Sequence, residues 1–208
     1  MTVEKVQSIL QTHVPEPAQA YCLALWKYAP FELKLTKNRQ SKVGDFTSRR
    51  HQSHVRITLN HDLNPYLFLI TYVHEVAHHH THLKYGNRVD PHGDEWKESF
   101  KDLLIPILQE SVFPDEILHL LRLHMVNPKA SSFADADLTK ALRRYDPGNE
   151  GMLVLSDIPE GCLFKFQGRF FKKGKLRRTR VLCLELETKR QYLIPAECTV
   201  TNVQLSML

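Results

Sequence analysis

Apolar residues recur at helical spacing from Val3 to Tyr28 (Val6, Ile9, Leu10, then Ala20, Leu23, Trp26), predicting two helices broken at Pro15 and Pro17. FELKLT alternates apolar with polar, and HVRITLN does so again after SKVGDFTSRR, which reads as two strands of a small antiparallel sheet turned near Gly44. The stretch NPYLFLITYVHEVAHHHTHLKYG begins at a cap-like Asn64 followed by Pro65 and stops at Gly86, so it predicts one helix. Residues 94–109 and 114–125 carry two more helical patterns, entered through Asp94 and through Pro114 and Asp115. NPKASSFADAD, small and polar, reads as a linker, with a short helical stretch LTKALRRY behind it. Beyond Asp146 the period changes to that of strands in MLVL, GCLFKF, RFF, RTRVLCLEL, RQYLIP and CTVTNV. The expected fold is α+β: a helical domain with a small sheet over residues 1–127, a linker with a short helix over 128–150, and a small basic β-rich unit over 151–208. There is no internal repeat.

With 208 residues, 42% of them hydrophobic, the chain can bury a real core. Its first residues show no basic segment followed by an apolar one, and the longest apolar run, 66–73, is far short of the roughly 20 residues of a membrane span. A soluble, cytoplasmic protein with no membrane partner is therefore expected. Cys22, Cys162, Cys183 and Cys198 contain no CxxC pair, which argues against both a zinc ribbon and a disulfide framework and for free thiols. The net charge of +5 is uneven: eight Lys and Arg and no acid lie between Lys165 and Arg180, so the rest of the chain carries five minus eight, or −3.

Five of the twelve histidines fall within residues 71–83, TYVHEVAHHHTHL. Residues four apart share a helix face about 6 Å up the axis, so His74 and His78 can reach one ion together. Glu75 completes HExxH, the arrangement in which two His bind Zn²⁺ and the Glu acts as general base on water. The helix is apolar on nearly every side from Tyr66 to Ala77, which implies burial, and His74, Glu75 and His78 interrupt it. Buried polar groups need partners, and ligation supplies them. His79, His80 and His82 lie past the apolar part and are expected to be exposed.

A catalytic zinc site takes three protein ligands. The metzincin continuation is absent, since Thr81 and Lys84 stand where its Gly and His would be. Two candidates remain for the third ligand: Glu98, at the spacing of a gluzincin carboxylate, and His92, held between Pro91 and Gly93 just before the Asp94 helix start. SKVGDF and HVRITLN before the helix, then HEVAH, then HGDEWK, together resemble the SprT-like metalloprotease domain, the family of bacterial SprT and eukaryotic Spartan. The resemblance covers about residues 3–125. It implies a zincin-like domain with His74, His78 and His92 as zinc ligands, Glu75 as catalytic base, one Zn²⁺, and a protein or peptide substrate.

The C-terminal unit departs from the zinc ribbon common in bacterial members, because Cys162, Cys183 and Cys198 are too far apart for paired knuckles. GCLFKFQGRFFKKGKLRRTRVLCLELETKRQYLIPAECTV reads instead as a compact β-meander or small barrel with KKGK as a turn. Lys172, Lys173, Lys175, Arg177 and Arg178 are candidate phosphate contacts, with Phe164, Phe166, Phe170 and Phe171 available to stack on bases. Eukaryotic relatives act on proteins crosslinked to DNA, which adds DNA or another nucleic acid as an expected partner. Two functions follow: a zinc metallopeptidase acting on nucleic-acid-associated proteins, and a non-catalytic, zinc-containing nucleic-acid-binding module in stress response or transcription.

Overall fold

A computed structural model describes residues 1–37, 42–48, 55–129, 135–146, 152–196 and 198–202. The chain forms two compact units, Met1–Pro147 and Gly148–Leu208. The fold is α+β, with six helices and two sheets among the described residues. None of these helices is long and apolar enough to cross a membrane.

In the first unit, α1 (Val3–His13) and α2 (Glu16–Tyr28) meet at Pro15. Pro15 caps α2, whereas Pro17 lies inside its first turn, where a missing N–H costs nothing. The break is thus made by one proline rather than two. Cys22 of α2 is fully buried, and burial pushes its thiol well above the ordinary range.

Strands β1 (Glu32–Thr36), β2 (Gly44–Ser48) and β3 (Val55–Asn60) form a sheet in the order β1-β3-β2. This corrects the expected antiparallel pair turned at Gly44. The Gly44 segment is itself a strand, antiparallel to β3, and β1 runs parallel to β3 on its other edge. Only 49–54 separate β2 from β3, a connection that suits an antiparallel pair, while the longer path of 37–54 returns the chain to β3 in the same direction as β1. GDFTS escapes a reading by alternation because two of its three helix-facing positions are Gly44 and Ser48.

Helix α3 (Pro65–Tyr85) is the spine of this unit, with twelve buried residues. The Asn64 side chain accepts from the Leu67 N–H at 3.0 Å, and Gly86 closes the helix at φ 65°. Leu69, Ile70, Val73 and Val76 are completely buried, and Tyr72 donates its hydroxyl to the Cys22 carbonyl at 2.9 Å. Next come α4 (Asp94–Leu104), which ends in a short 3₁₀ turn at Ile105–Ile107, α5 (Asp115–His124) and α6 (Ala136–Arg143).

The segment read as a linker contains α6, which belongs to the first unit. Leu138, Ala141 and Leu142 are in its core, and the Asn64 amide donates to the Leu142 carbonyl at 2.9 Å and to Asp146 at 2.8 Å. The two units divide between Pro147 and Gly148. Residues 130–134 of NPKASSFADAD lie outside the described residues.

The second unit is a six-stranded antiparallel sheet of β4 (Met152–Val154), β5 (Leu163–Phe166), β6 (Arg169–Arg177), β7 (Arg180–Glu185), β8 (Gln191–Pro195) and β9 (Thr199–Asn202), in the order β4-β9-β5-β6-β7-β8. Phe164 and Phe171 are buried and stacked, with ring centroids 5.6 Å apart, so both are core and not stacking surfaces for bases. KKGK is not a turn. It lies within β6, where a bulge interrupts pairing with β7 between Lys173 and Leu176, and a Cβ on Gly174 would come within 2.5 Å of the Leu182 carbonyl oxygen. The reversals occur at Gln167-Gly168 and Arg178-Thr179, where Gln167, Gly168 and Arg178 have positive φ.

Candidate metal centre

His74 and His78 project from one face of α3, and His92 reaches them from the loop before α4. Their Nε2 atoms form a triangle with sides of 3.2, 3.0 and 3.3 Å. Three nitrogens at about 2.0–2.1 Å from one tetrahedral zinc lie about 3.3–3.4 Å apart, so the triangle has nearly the size of one face of such a site. A neutral imidazole donates from only one nitrogen, so three ring nitrogens this close cannot all satisfy one another, and a cation held by all three can. His74, His78 and His92 are the one group of His, Cys, Asp or Glu side chains among the described residues whose ligand atoms converge in this way.

Burial holds the His74 ring down to about 3, helped by neighbouring His78, His92 and His124. Burial and His92 bring His78 to about 4, and burial lowers His92 as well. All three rings are therefore neutral near pH 7, with lone pairs free for a metal. His92 has φ 127°, a region that side-chain-bearing residues rarely adopt. The tight turn behind it, in which both His92 and Gly93 donate to the Asp90 carbonyl at 3.0 Å, holds the ring against the helix despite that strain.

Trp96, fully buried, supports all three rings, with centroids 4.6 Å from His74, 5.3 Å from His78 and 4.8 Å from His92. Phe100 stacks behind Trp96 at 5.1 Å. Placing Trp96 four residues after His92 on α4 explains why the histidine sits in the loop that feeds this helix. Glu98, the alternative third ligand, is exposed and faces a cleft lined with Tyr28, His80, Lys84 and Asp102, away from the triad.

Glu75 is 6% exposed and lies against Gly44 and Thr71. The expectation that His79, His80 and His82 are exposed fails. His79 is 2% exposed, edge-on to Phe31 at 5.6 Å and near Phe46 at 5.9 Å; His80 and His82 are half-buried, and His82 Nε2 lies 2.8 Å from Ser48 Oγ. Strand β2 covers His79 and His82, and Tyr28 of α2 lies 5.2 Å from the His80 ring; the polar lettering of the segment gives no sign of either cover.

Burial also lowers His79 to about 4. For His74, His78 and His79 the folded pKa lies below the 6.5 of an exposed ring, so the unfolded chain binds more protons at intermediate pH. The stability these rings contribute is fully present above about pH 6.5 and is lost as pH falls toward 4. The thermal midpoint of the metal-free protein should therefore drop between about pH 7.5 and 5. An unchanged midpoint would mean that the folded chain protonates these rings as readily as the unfolded one.

Of the five basic candidates in the second unit, Lys172, Lys175, Arg177 and Arg178 are exposed along β6 and its turn, and Lys173 is not. Lys173 is 8% exposed, and its ammonium donates to the Ser156 carbonyl at 2.9 Å and to the Ile158 carbonyl. It is therefore corrected from phosphate contact to internal tie, because strand alternation turns it to the core side while Lys172 faces out. Lys173→Met should destabilise the unit by about 1–3 kcal/mol by stranding the buried Ile158 carbonyl and the part-buried Ser156 carbonyl, and leave nucleic-acid affinity unchanged. Lys172→Glu with Lys175→Glu should preserve the thermal midpoint while weakening any nucleic-acid binding and flattening its salt dependence. Equal affinity of that double variant and the wild type would remove β6 as a contact. Phe170, 46% exposed, is the aromatic left open beside these cations, with the Lys165 ammonium 5.7 Å from its ring centroid.

No family model, curated protein or solved structure matches this chain.

Proposed function

We propose that the protein is a zinc-dependent metallopeptidase of the SprT-like type, with His74, His78 and His92 as ligands and Glu75 as general base. The observation that carries this reading is the Nε2 triangle of 3.0–3.3 Å built on a helix that also bears Glu75 between its two ligands. Zinc, when bound, supplies Lewis acidity toward a water molecule and a peptide carbonyl. Glu75 takes the proton of the attacking water on its carboxylate and hands it to the leaving amine nitrogen. Trp96 and Phe100 keep the ligand rings in place, and burial keeps those rings neutral. The substrate is a protein or peptide, and proteins associated with nucleic acid are the favoured class because of the exposed cations of β6.

Those cations, Lys172, Lys175, Arg177 and Arg178, also favour a second reading, a zinc-containing nucleic-acid-binding regulator that cuts no peptide. Metal analysis combined with a cleavage assay on an unfolded protein substrate, with and without single- and double-stranded DNA, separates the two. The peptidase reading expects about one zinc per chain and cleavage that a chelator stops and added zinc restores. Zinc at that level without cleavage under any of these conditions would overturn it in favour of the regulator.

A further inference from the structure

Strand β2 is an edge strand laid along α3. Alternate residues of a strand advance roughly 7 Å and every fourth residue of a helix 6 Å, so three positions of β2 meet successive turns of α3. Gly44 meets Thr71 and Glu75; Phe46 stacks on His78 with centroids 6.2 Å apart and 17° between planes; Ser48 meets His82. Gly44 is the odd member of this row. Its φ is not positive, in contrast with Gly86, Gly161 and Gly168, and it pairs with Leu59 as an ordinary strand residue. Glycine inside a strand weakens it, so backbone conformation gives no reason for glycine here. Space does. A Cβ at residue 44 would lie 2.5 Å from Glu75 Oε1, 3.0 Å from Glu75 Cγ and 2.6 Å from Thr71 Cγ2.

We propose that Gly44 is a positioning residue for Glu75: the absence of a side chain at this edge-strand position is what allows the Glu75 carboxylate to stand where a general base beside His74 and His78 must stand. The inference rests on the peptidase reading. Room for a methyl group at residue 44 requires movement of the strand itself, of Thr71 or of Glu75. The strand is held by its ladder to β3, and Thr71 is fixed by the hydroxyl it donates to the Leu67 carbonyl at 2.7 Å. Once the Thr71 methyl is removed, the carboxylate, the end of a flexible side chain, is what moves. The change therefore displaces the base while sparing the three ligands.

Gly44→Ala combined with Thr71→Ser separates positioning from plain crowding. Serine removes the Cγ2 methyl and keeps the helix hydroxyl, so it relieves the clash with residue 71 and leaves the one with Glu75. The expected double variant has near wild-type zinc content and thermal midpoint, a kcat lowered by at least tenfold and on the order of 10², and little change in KM, as a misplacement of about 1 Å produces. In a Glu75→Gln background, adding Gly44→Ala together with Thr71→Ser should lower kcat no further, since the group the change acts through is gone. Independently of turnover, the visible spectrum of the cobalt-substituted double variant should depart from wild type toward that of cobalt-substituted Glu75→Gln. A double variant with wild-type kcat and a wild-type cobalt spectrum would overturn the inference and leave the peptidase reading intact. A wild-type chain that binds zinc and cleaves nothing fails the peptidase reading, and the cobalt comparison then decides whether Gly44 sets the position of Glu75. A wild-type chain that takes up no metal fails both.

Discussion

Glu75→Gln is expected to retain about one zinc per chain and a near wild-type thermal midpoint while peptidase activity falls by at least the roughly 10²–10⁴ that general-base catalysis contributes. Glutamine keeps the size of the side chain and the room that Gly44 leaves for it, so the contact with β2 survives. What it loses is the ability to take a proton. Glu75 is 6% exposed within a helix whose core side is fully packed, so a replacement of a different shape would confuse chemistry with folding. A Glu75→Gln chain that loses its zinc would make Glu75 a ligand or a structural partner of the site. One that cleaves at the wild-type rate would remove the base assignment.

Removing a ligand should have the opposite profile. His74→Ala is expected to abolish stoichiometric zinc binding and to lower the thermal midpoint, because metal binding free energy, about 10–16 kcal/mol for small structural zinc sites, feeds into the stability of the folded state. Some of that loss is packing, since the His74 ring lies against Trp96 and Phe100. Comparison with metal-free wild type isolates this part: the variant and the metal-free parent should differ by only the contact energy. His92→Ala should likewise cut bound zinc sharply, whereas Glu98→Ala should leave it near one per chain, because Glu98 faces the cleft beside Tyr28 and Asp102. Retention of zinc by His92→Ala together with its loss in Glu98→Ala would reverse the ligand set.

Much of the helical part was legible along the chain because a helix declares itself locally. Asn64 and Gly86 mark the ends of α3, and the run from Tyr66 to Ala77 shows that the helix is buried. The pair His74 and His78 needs only the pitch of that helix to converge. His92 is another matter: His92 and Glu98 both lie within reach by sequence distance, and only the turn at Asp90, with His92 held at φ 127°, directs one of them to the triad. The β2 strand was read as a turn, and its Gly44 and Ser48 carry no apolar signal, since their roles are to make room for Glu75 and to meet His82.

The same division holds in the second unit, where strand content was evident from alternation but the bulge inside KKGK was not. Lys172 and Lys173 are adjacent and chemically identical, yet one faces out and the other turns inward to donate to the Ser156 and Ile158 carbonyls. By itself, the sequence determined what local periodicity and spacing can determine: the α+β order of elements, the convergent pair His74 and His78 on α3 and the concentration of positive charge after residue 165. Tertiary structure alone decided the parallel pairing of β1 with β3, the burial of His79, the choice of His92 and the side to which each lysine turns. Those outcomes depend on which segments distant in the chain come to lie against one another, and a side chain's letter is the same on either face of the element that carries it.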